Sequence, residues 1–466
     1  MTFDPSRRPR AHFTPRRDWM NDPNGLLYHD GEYHLFFQHS VGSILPGNPS
    51  WGHAVSRDLV TWTELPVAIA STPAEWVLSG SAVMDFANVS GLGTPQRPAM
   101  VAAYTGLDTA TLQQRQSLAY SLDRGRTFTR YAGNPVLDIG STEFRDPKLL
   151  RRGDAFTMAI VMAADRTIRL YTSTDLLAWE LASEIGGFGF TEGVWECPDL
   201  VRVPIEGTAD AAWVLLLSVQ SGGPVGGSGM QYVVVDFDGT RFEPLGEARW
   251  LDHGADCYAA VAFTDAPGPE PVILGWMNNW RYAADIPGGE FRGSMTLPRR
   301  LTLRDRDGDL RLVQRPVVAE RPVTRRVTDA VVDSRLELPN TEPAVRIVAE
   351  VEFGTADRIG LDVRVGDGER TRIVADRSTA TLAVDRTRSG VVDFHGAFAG
   401  IHSVVVPPTD VLRLDVYVDE ASVEVLAADG EVALTDQVFP SPESTGLAVF
   451  ADGGTAIVRE LTVTAL

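Results

Sequence analysis

Three carboxylates in the first half of the chain stand at, or one residue short of, the position before a proline. Asp22 lies in Trp19-Met20-Asn21-Asp22-Pro23-Asn24-Gly25, Asp146 in Arg145-Asp146-Pro147, and Glu196 in Trp195-Glu196-Cys197-Pro198. Proline pushes the residue before it out of the helical region into extended backbone, and Asp-Pro-Asn-Gly is good turn chemistry. Apolar runs follow each one (Leu26-Leu27, Leu149-Leu150, Leu200-Val201), so all three are expected at the entry of a strand. For any one of them a surface turn is the simpler reading. Three together fit a shared site better. Two carboxylates about 5–5.5 Å apart can cleave a glycosidic bond with retention, and a wider pair with inversion. One of the pair stays ionised as nucleophile, while burial and its neighbour's charge keep the other protonated. Arg145 places a guanidinium beside Asp146, which favours that carboxylate in its ionised form.

Other chemistries find little support. The eight histidines are scattered without metal spacing, and no His-Glu-x-x-His or Gly-x-Ser-x-Gly occurs, so neither a metal nor a cofactor is expected. The glycine-rich stretch 222–229 leads into a strand, where no helix N-terminus can meet a phosphate, and it reads as a mobile loop. Asp305-Arg306-Asp307-Gly308-Asp309 has the wrong glycine spacing for a calcium loop and reads as a charged hairpin turn.

The elements that must position the carboxylates are strands. Leu26–His29 and Glu32–Phe37 flank Asp30-Gly31, a two-residue hairpin signal. An internal repeat runs through the first half: Ser56-Arg57-Asp58 leads to Trp62, Ser121-Leu122-Asp123 to Phe128, Ser173-Thr174-Asp175 to Trp179, and Asp238-Gly239 to Phe242. In each copy the Asp is expected to cap a turn and the aromatic to pack between sheets. Repeats of this size predict the blades of a β-propeller, and their number favours five. From about Val327 the pattern changes to strict alternation, as in Leu412–Val418, which predicts a sandwich of two antiparallel sheets. All ten tryptophans fall in the first half, so the chemistry is expected there. The predicted organisation is an all-β chain: a propeller over 1–313, a linker over 314–326 and a β-sandwich over 327–466.

Composition bounds the partners. A chain of 466 residues is expected to form two or three domains, and 62 acidic against 42 basic residues give a net charge of −20. That argues against nucleic acid or an anionic membrane as partner. No run of ~18 apolar residues is present to span a bilayer. The first ten residues carry no secretory signal, so the protein is expected in the cytoplasm, or outside the cell if a signal precedes this sequence. Cys197 and Cys257 are expected as buried, reduced thiols, and the single lysine, Lys148, is read as compositional bias.

The three carboxylate motifs, in this order and spacing, resemble the signatures of glycoside hydrolase family 32, which includes invertases, levanases, inulinases and fructan exohydrolases. Trp51-Gly52-His53, Ser79-Gly80-Ser81 and Val423-Glu424-Val425 extend the resemblance over nearly the whole chain. It implies a five-bladed propeller with a C-terminal β-sandwich. It implies Asp22 as nucleophile, Glu196 as general acid/base and Asp146 as transition-state stabiliser, with Asn21, Gln38, Trp51, Ser79 and Arg145 shaping a fructosyl subsite. The stretch 275–283, with Trp276 as a further substrate-binding residue, is similar to levanases and exo-inulinases. The implied substrate is a fructan or fructo-oligosaccharide, with fructosyl transfer as the alternative outcome. Leu78 replaces a phenylalanine common before Ser-Gly-Ser, and the loop 40–50 departs from the usual Tyr-Asn-Pro pattern.

Overall fold

A computed structural model describes residues 8–153 and 155–466, and the first residues, Met1–Arg7, in which no secretory signal is read, lie outside the described residues. Among the described residues there is no α-helix, only a single 3-10 turn at Ala428–Gly430. The first half folds into five antiparallel sheets in chain order, spanning 18–69, 75–130, 144–186, 195–250 and 258–316. Their innermost strands are Asp18–His29, Glu75–Asp85, Phe144–Arg152, Trp195–Pro204 and Tyr258–Ala262, and each touches the innermost strands of both neighbouring sheets. That closed ring is a five-bladed propeller. Closure is made by parallel pairing of Asp18 and Trp19 with Phe291 and Arg292, and of Leu27 with Thr264.

The repeated Ser-x-Asp turns are built as their chemistry predicts. Ser56 Oγ accepts the N–H groups of Asp58 and Leu59, Asp58 Oδ1 accepts those of Val60 and Thr61, and Trp62 Nε1 donates to the Leu59 carbonyl. Ser173, Asp175 and Trp179 repeat the same set. The aromatics that follow reach the preceding blade of the ring: Trp62 stacks on Phe263 of blade 5, and Phe128 meets Phe36 of blade 1 edge-on. Asp307-Gly308 is the tip of a charged hairpin, as expected.

The second half forms two six-stranded sheets facing each other. Val345, Ile347, Ala349 and Val351 alternate inward along one strand and meet Leu361, Val363 and Val449 of the other sheet. Each such fully buried Val, Ile or Leu contributes about 1.5–3 kcal/mol. The stretch expected as linker is occupied by strands at both ends: Asp309–Pro316 completes blade 5 and Val323–Val332 opens the sandwich. Residues 317–322 lie between them.

The two units meet through buried charge. Arg299, fully enclosed, donates to Glu424 Oε2 at 2.5 Å, Thr435 Oγ1 at 2.6 Å and Asp252 Oδ2 at 3.0 Å. Glu424 also accepts Leu297 N at 2.8 Å and faces His12 Nε2 at 2.9 Å, while His12 Nδ1 lies 2.7 Å from Asp419. Burial alone would lower the His12 imidazole, but Asp419 and Glu424 outweigh it and carry it up to about 9. Burial likewise opposes the Glu424 carboxylate, yet Arg299 and His12 hold it down at about 2.

The two shifts set a pH window. A raised histidine contributes stability that is complete below its ordinary value of 6.5 and is lost as pH rises through about 9. The depressed Glu424 contributes above 4.5 and is lost as pH falls through about 2. The melting temperature is therefore expected to decline between pH 6.5 and 9. In His12→Gln it should start lower at pH 6 and decline less. Parallel declines in scanning calorimetry would show that His12 does not carry the effect.

Candidate active site

Every innermost strand breaks register near its N-terminal end. The irregularities fall at Asn21-Asp22, Leu78-Ser79, Asp146-Pro147, Cys197-Pro198 and Ala259-Ala260, with a second in blade 1 between Asn24 and Leu27. A bulge bends its strand and re-aims side chains, so five bulges at one level turn their neighbours toward one mouth of the central channel. Asp146, Cys197 and Ala259 take left-handed backbone there, with φ of 63°, 47° and 51°, at roughly 1–2 kcal/mol each for an L-residue. In blade 1 the turn ends on Gly25 (φ +53°), where a Cβ would lie 2.7 Å from Phe36 and 2.9 Å from Trp51.

The bulges bring Asp22, Asp146 and Glu196 together. Cys197 Sγ lies 3.7 Å from Asp22 Oδ2 and 3.7 Å from Asp146 Oδ2, so the two aspartates face each other across one thiol. Asp22 accepts Asn21 Nδ2 at 3.1 Å and Ser79 Oγ at 2.9 Å. Asp146 Oδ2 accepts the Cys197 N–H at 3.0 Å, and its own N–H donates to Thr105 Oγ1. Glu196 is held at both oxygens: Arg145 Nε donates to Oε1 at 3.1 Å and the Tyr258 hydroxyl to Oε2 at 2.5 Å. Asp22 and Asp146 are 9% and 6% exposed, and the Glu196 side chain 16%, so Glu196 is the most open of the three.

Burial pushes Asp22 above the usual carboxylate range, and the charge of Glu196 adds to it. Asp146 is driven by the same two causes to about 7, against Arg145 and the Cys197 N–H. Burial and the surrounding carboxylates raise the Cys197 thiol well above its ordinary value, so it stays protonated. Beneath the carboxylates the channel narrows to a cavity of about 20 Å³ lined by Asn24, Gly80, Pro147 and Pro198, room for about one water. Lys148 crosses the base of the site, donating to Asp199 at 2.8 Å and to the Ala262 carbonyl. The only lysine thus ties blades 3, 4 and 5 together.

The remaining expected residues divide into two groups. Asn21, Ser79 and Arg145 touch the carboxylates directly. Trp51 is fully enclosed and donates to the Leu78 carbonyl at 2.9 Å, which braces the bulge that presents Ser79. Trp276 is also enclosed, edge-on to Trp19 and Tyr258. Trp276 Nε1 and Gln38 Nε2 are buried donors without a partner among the described residues. Sequence reasoning missed three participants: Tyr258 on Glu196, Cys197 between the aspartates, and Trp280, which stacks on Trp19 and leans on Trp276. The glycine stretch 222–229 is tied down, since Asn279 accepts the Ser228 N–H and donates to the Gly226 and Ser228 carbonyls.

A five-bladed ring that aims three buried carboxylates at one mouth, joined to a β-sandwich, is the architecture of a propeller glycosidase. The sequence model for the glycosyl hydrolases family 32 N-terminal domain matches residues 12–316, and that for the family 32 C-terminal domain matches 318–465. The chain belongs to glycosyl hydrolase family 32 and is an enzyme of the β-fructofuranosidase type. It is 41% identical to a levanase of Bacillus subtilis, over 99% of this chain and 70% of that one. It is 37% identical to an extracellular exo-inulinase of Aspergillus niger, over 97% and 93% of the two chains. The crystal structure of an exo-inulinase from Aspergillus awamori superposes with a TM-score of 0.95 at 35% identity, covering 100% of this chain and 99% of that one.

The raised Asp146 has a measurable cost. Between its ordinary value of 3.8 and about 7 the folded state holds a proton that the unfolded chain has lost, so this group makes stability fall as pH rises through that window. Asp146→Asn removes the penalty. Its melting temperature is expected to exceed the parent's above pH 7 by roughly 4 °C, with the difference closing near pH 4. A constant offset at all pH values would refute this.

Proposed function

We propose that the enzyme releases terminal β-D-fructofuranosyl units from levan- or inulin-type fructans, and from sucrose, with retention of configuration. Asp22 attacks the anomeric C2 while Glu196 gives its proton to the leaving oxygen, breaking the C2–O bond and forming a fructosyl-Asp22 ester. Glu196, now ionised, takes a proton from water, whose oxygen attacks C2 and frees Asp22. Asp146 accepts hydrogen bonds from fructose hydroxyls as charge develops on the ring. The observation that carries this assignment is the unequal exposure of the carboxylates. Asp22 is buried with hydrogen-bond donors on both oxygens, whereas Glu196 is the most open to the mouth, where leaving group and water pass.

The unpartnered donors support the subsite reading. A buried N–H without an acceptor costs about 1–3 kcal/mol, and a sugar hydroxyl arriving at Gln38 Nε2 or Trp276 Nε1 would relieve it. Asn21 and Ser79 steady the nucleophile, Arg145 steadies Glu196, and Trp51 acts from behind Ser79.

Asp22→Asn and Glu196→Gln are each expected to lower kcat on levan, inulin and sucrose by about 10²–10⁴-fold or more. Near-normal turnover in either would sink the mechanism. Product separation on the three substrates is expected to show free fructose; fructo-oligosaccharides in its place would mean a fructosyltransferase.

A further inference from the structure

The acid/base carboxylate is steadied from two directions, and one of them begins in the other domain. Before blade 5 opens at Tyr258, residues 251–257 form no strand of their own and run instead along the sandwich strand Val432–Gln437. His253 N donates to the Ala433 carbonyl and Asp256 N to that of Thr435, while Thr435 N donates to Asp252 and Gln437 N to Asp256. The approach is so close that a Cβ on Gly254 would lie 2.3 Å from the Thr435 backbone. Arg386 of the sandwich, fully enclosed, donates to Asp256 Oδ2 at 2.6 Å and to the Tyr282 hydroxyl at 2.8 Å, and that hydroxyl donates to Asp256 Oδ1 at 2.7 Å.

Both ends of this network are two residues from the pocket. Asp256 is followed by Tyr258, whose hydroxyl holds Glu196 Oε2. Tyr282 follows Trp280, which stacks on Trp19. We propose that the β-sandwich is a positioning element for catalysis: Arg386, Asp256 and Tyr282 set Tyr258, and Tyr258 fixes the plane of the Glu196 carboxylate. This rests on Glu196 being the general acid/base. The physical need is plain, because a carboxylate held at one oxygen still rotates about its last bond, whereas donors on both oxygens fix its plane. Arg145 supplies one donor from blade 3, and Tyr258 supplies the other from the start of blade 5, directly after the segment that meets the sandwich. The groups facing Glu196 are Arg145 and Asp146 of blade 3, Asp22 of blade 1, the Cys197 thiol beside it and Tyr258.

The test uses Tyr258→Phe, Tyr282→Phe and the double variant of the full chain, each lacking only hydroxyls, with kcat and KM measured on sucrose. Loss of one of the two donors leaves the carboxylate free to turn, so Tyr258→Phe should weaken proton transfer to the leaving group. Its kcat should fall roughly tenfold with KM changed by less than about twofold. Tyr282→Phe, which does not touch Glu196, should lower kcat by about threefold, again with KM little changed. The double variant should be no worse than Tyr258→Phe, the signature of two residues acting on one group. Multiplying effects, or a Tyr282→Phe that only lowers the melting temperature, would overturn the proposal. Glu196→Gln on an aryl β-fructofuranoside, whose leaving group needs no proton, separates the two layers. If fructosyl-enzyme formation is as depressed there as on sucrose, it is the assignment of Glu196 that fails and not the coupling.

Discussion

Carboxylates that repel one another, crowded into a buried ring, are what the rest of this structure must hold in place. Asp22 and Asp146 share one thiol, Glu196 stands one residue before that thiol on the same strand, and Arg145 is the cation set against the group. Left in water, these groups would move apart and ionise. Closing five sheets into a ring takes that freedom away, and the innermost bulges turn the side chains inward at one level. The cost appears as raised aspartates. It is offset by ordinary propeller packing and by the buried ion pairs that fasten the sandwich beneath it.

The proline-marked bulges explain which parts of the site were legible in the sequence. Pro23, Pro147 and Pro198 flag three of the five, and these are the blades whose carboxylates could be read from spacing. Blades 2 and 5 make the same irregularity at Leu78-Ser79 and Ala259-Ala260 without a proline. Ser79 was therefore reached only through family resemblance, and Tyr258 not at all. The fold was easier to read because its signals are local. A Ser-x-Asp turn closes within a few residues, and alternation along a sandwich strand needs no partner to be seen. Arg299 with Glu424, 125 residues apart, leaves no such trace. Nor did the lone Lys148, which looked like compositional bias and proved to bind three blades.

The sandwich thus has two relations to the pocket. Through His12, Arg299, Asp419 and Glu424 it is a base on which the propeller stands. Through the segment before Tyr258 it reaches the catalytic level itself. Both depend on charges buried where the two units meet, so the geometry of the pocket and the integrity of the interface are not independent properties.

The narrowing of the channel beneath the carboxylates has a kinetic meaning. With room for about one water below Asp22 and Asp146, the pocket is a cul-de-sac. In the proposed reaction a fructose freed at its floor would leave by the way it came in, past the shortened polymer. The polymer would then have to step off or back out before a new end could enter, and an enzyme so shaped would trim many chains a unit at a time.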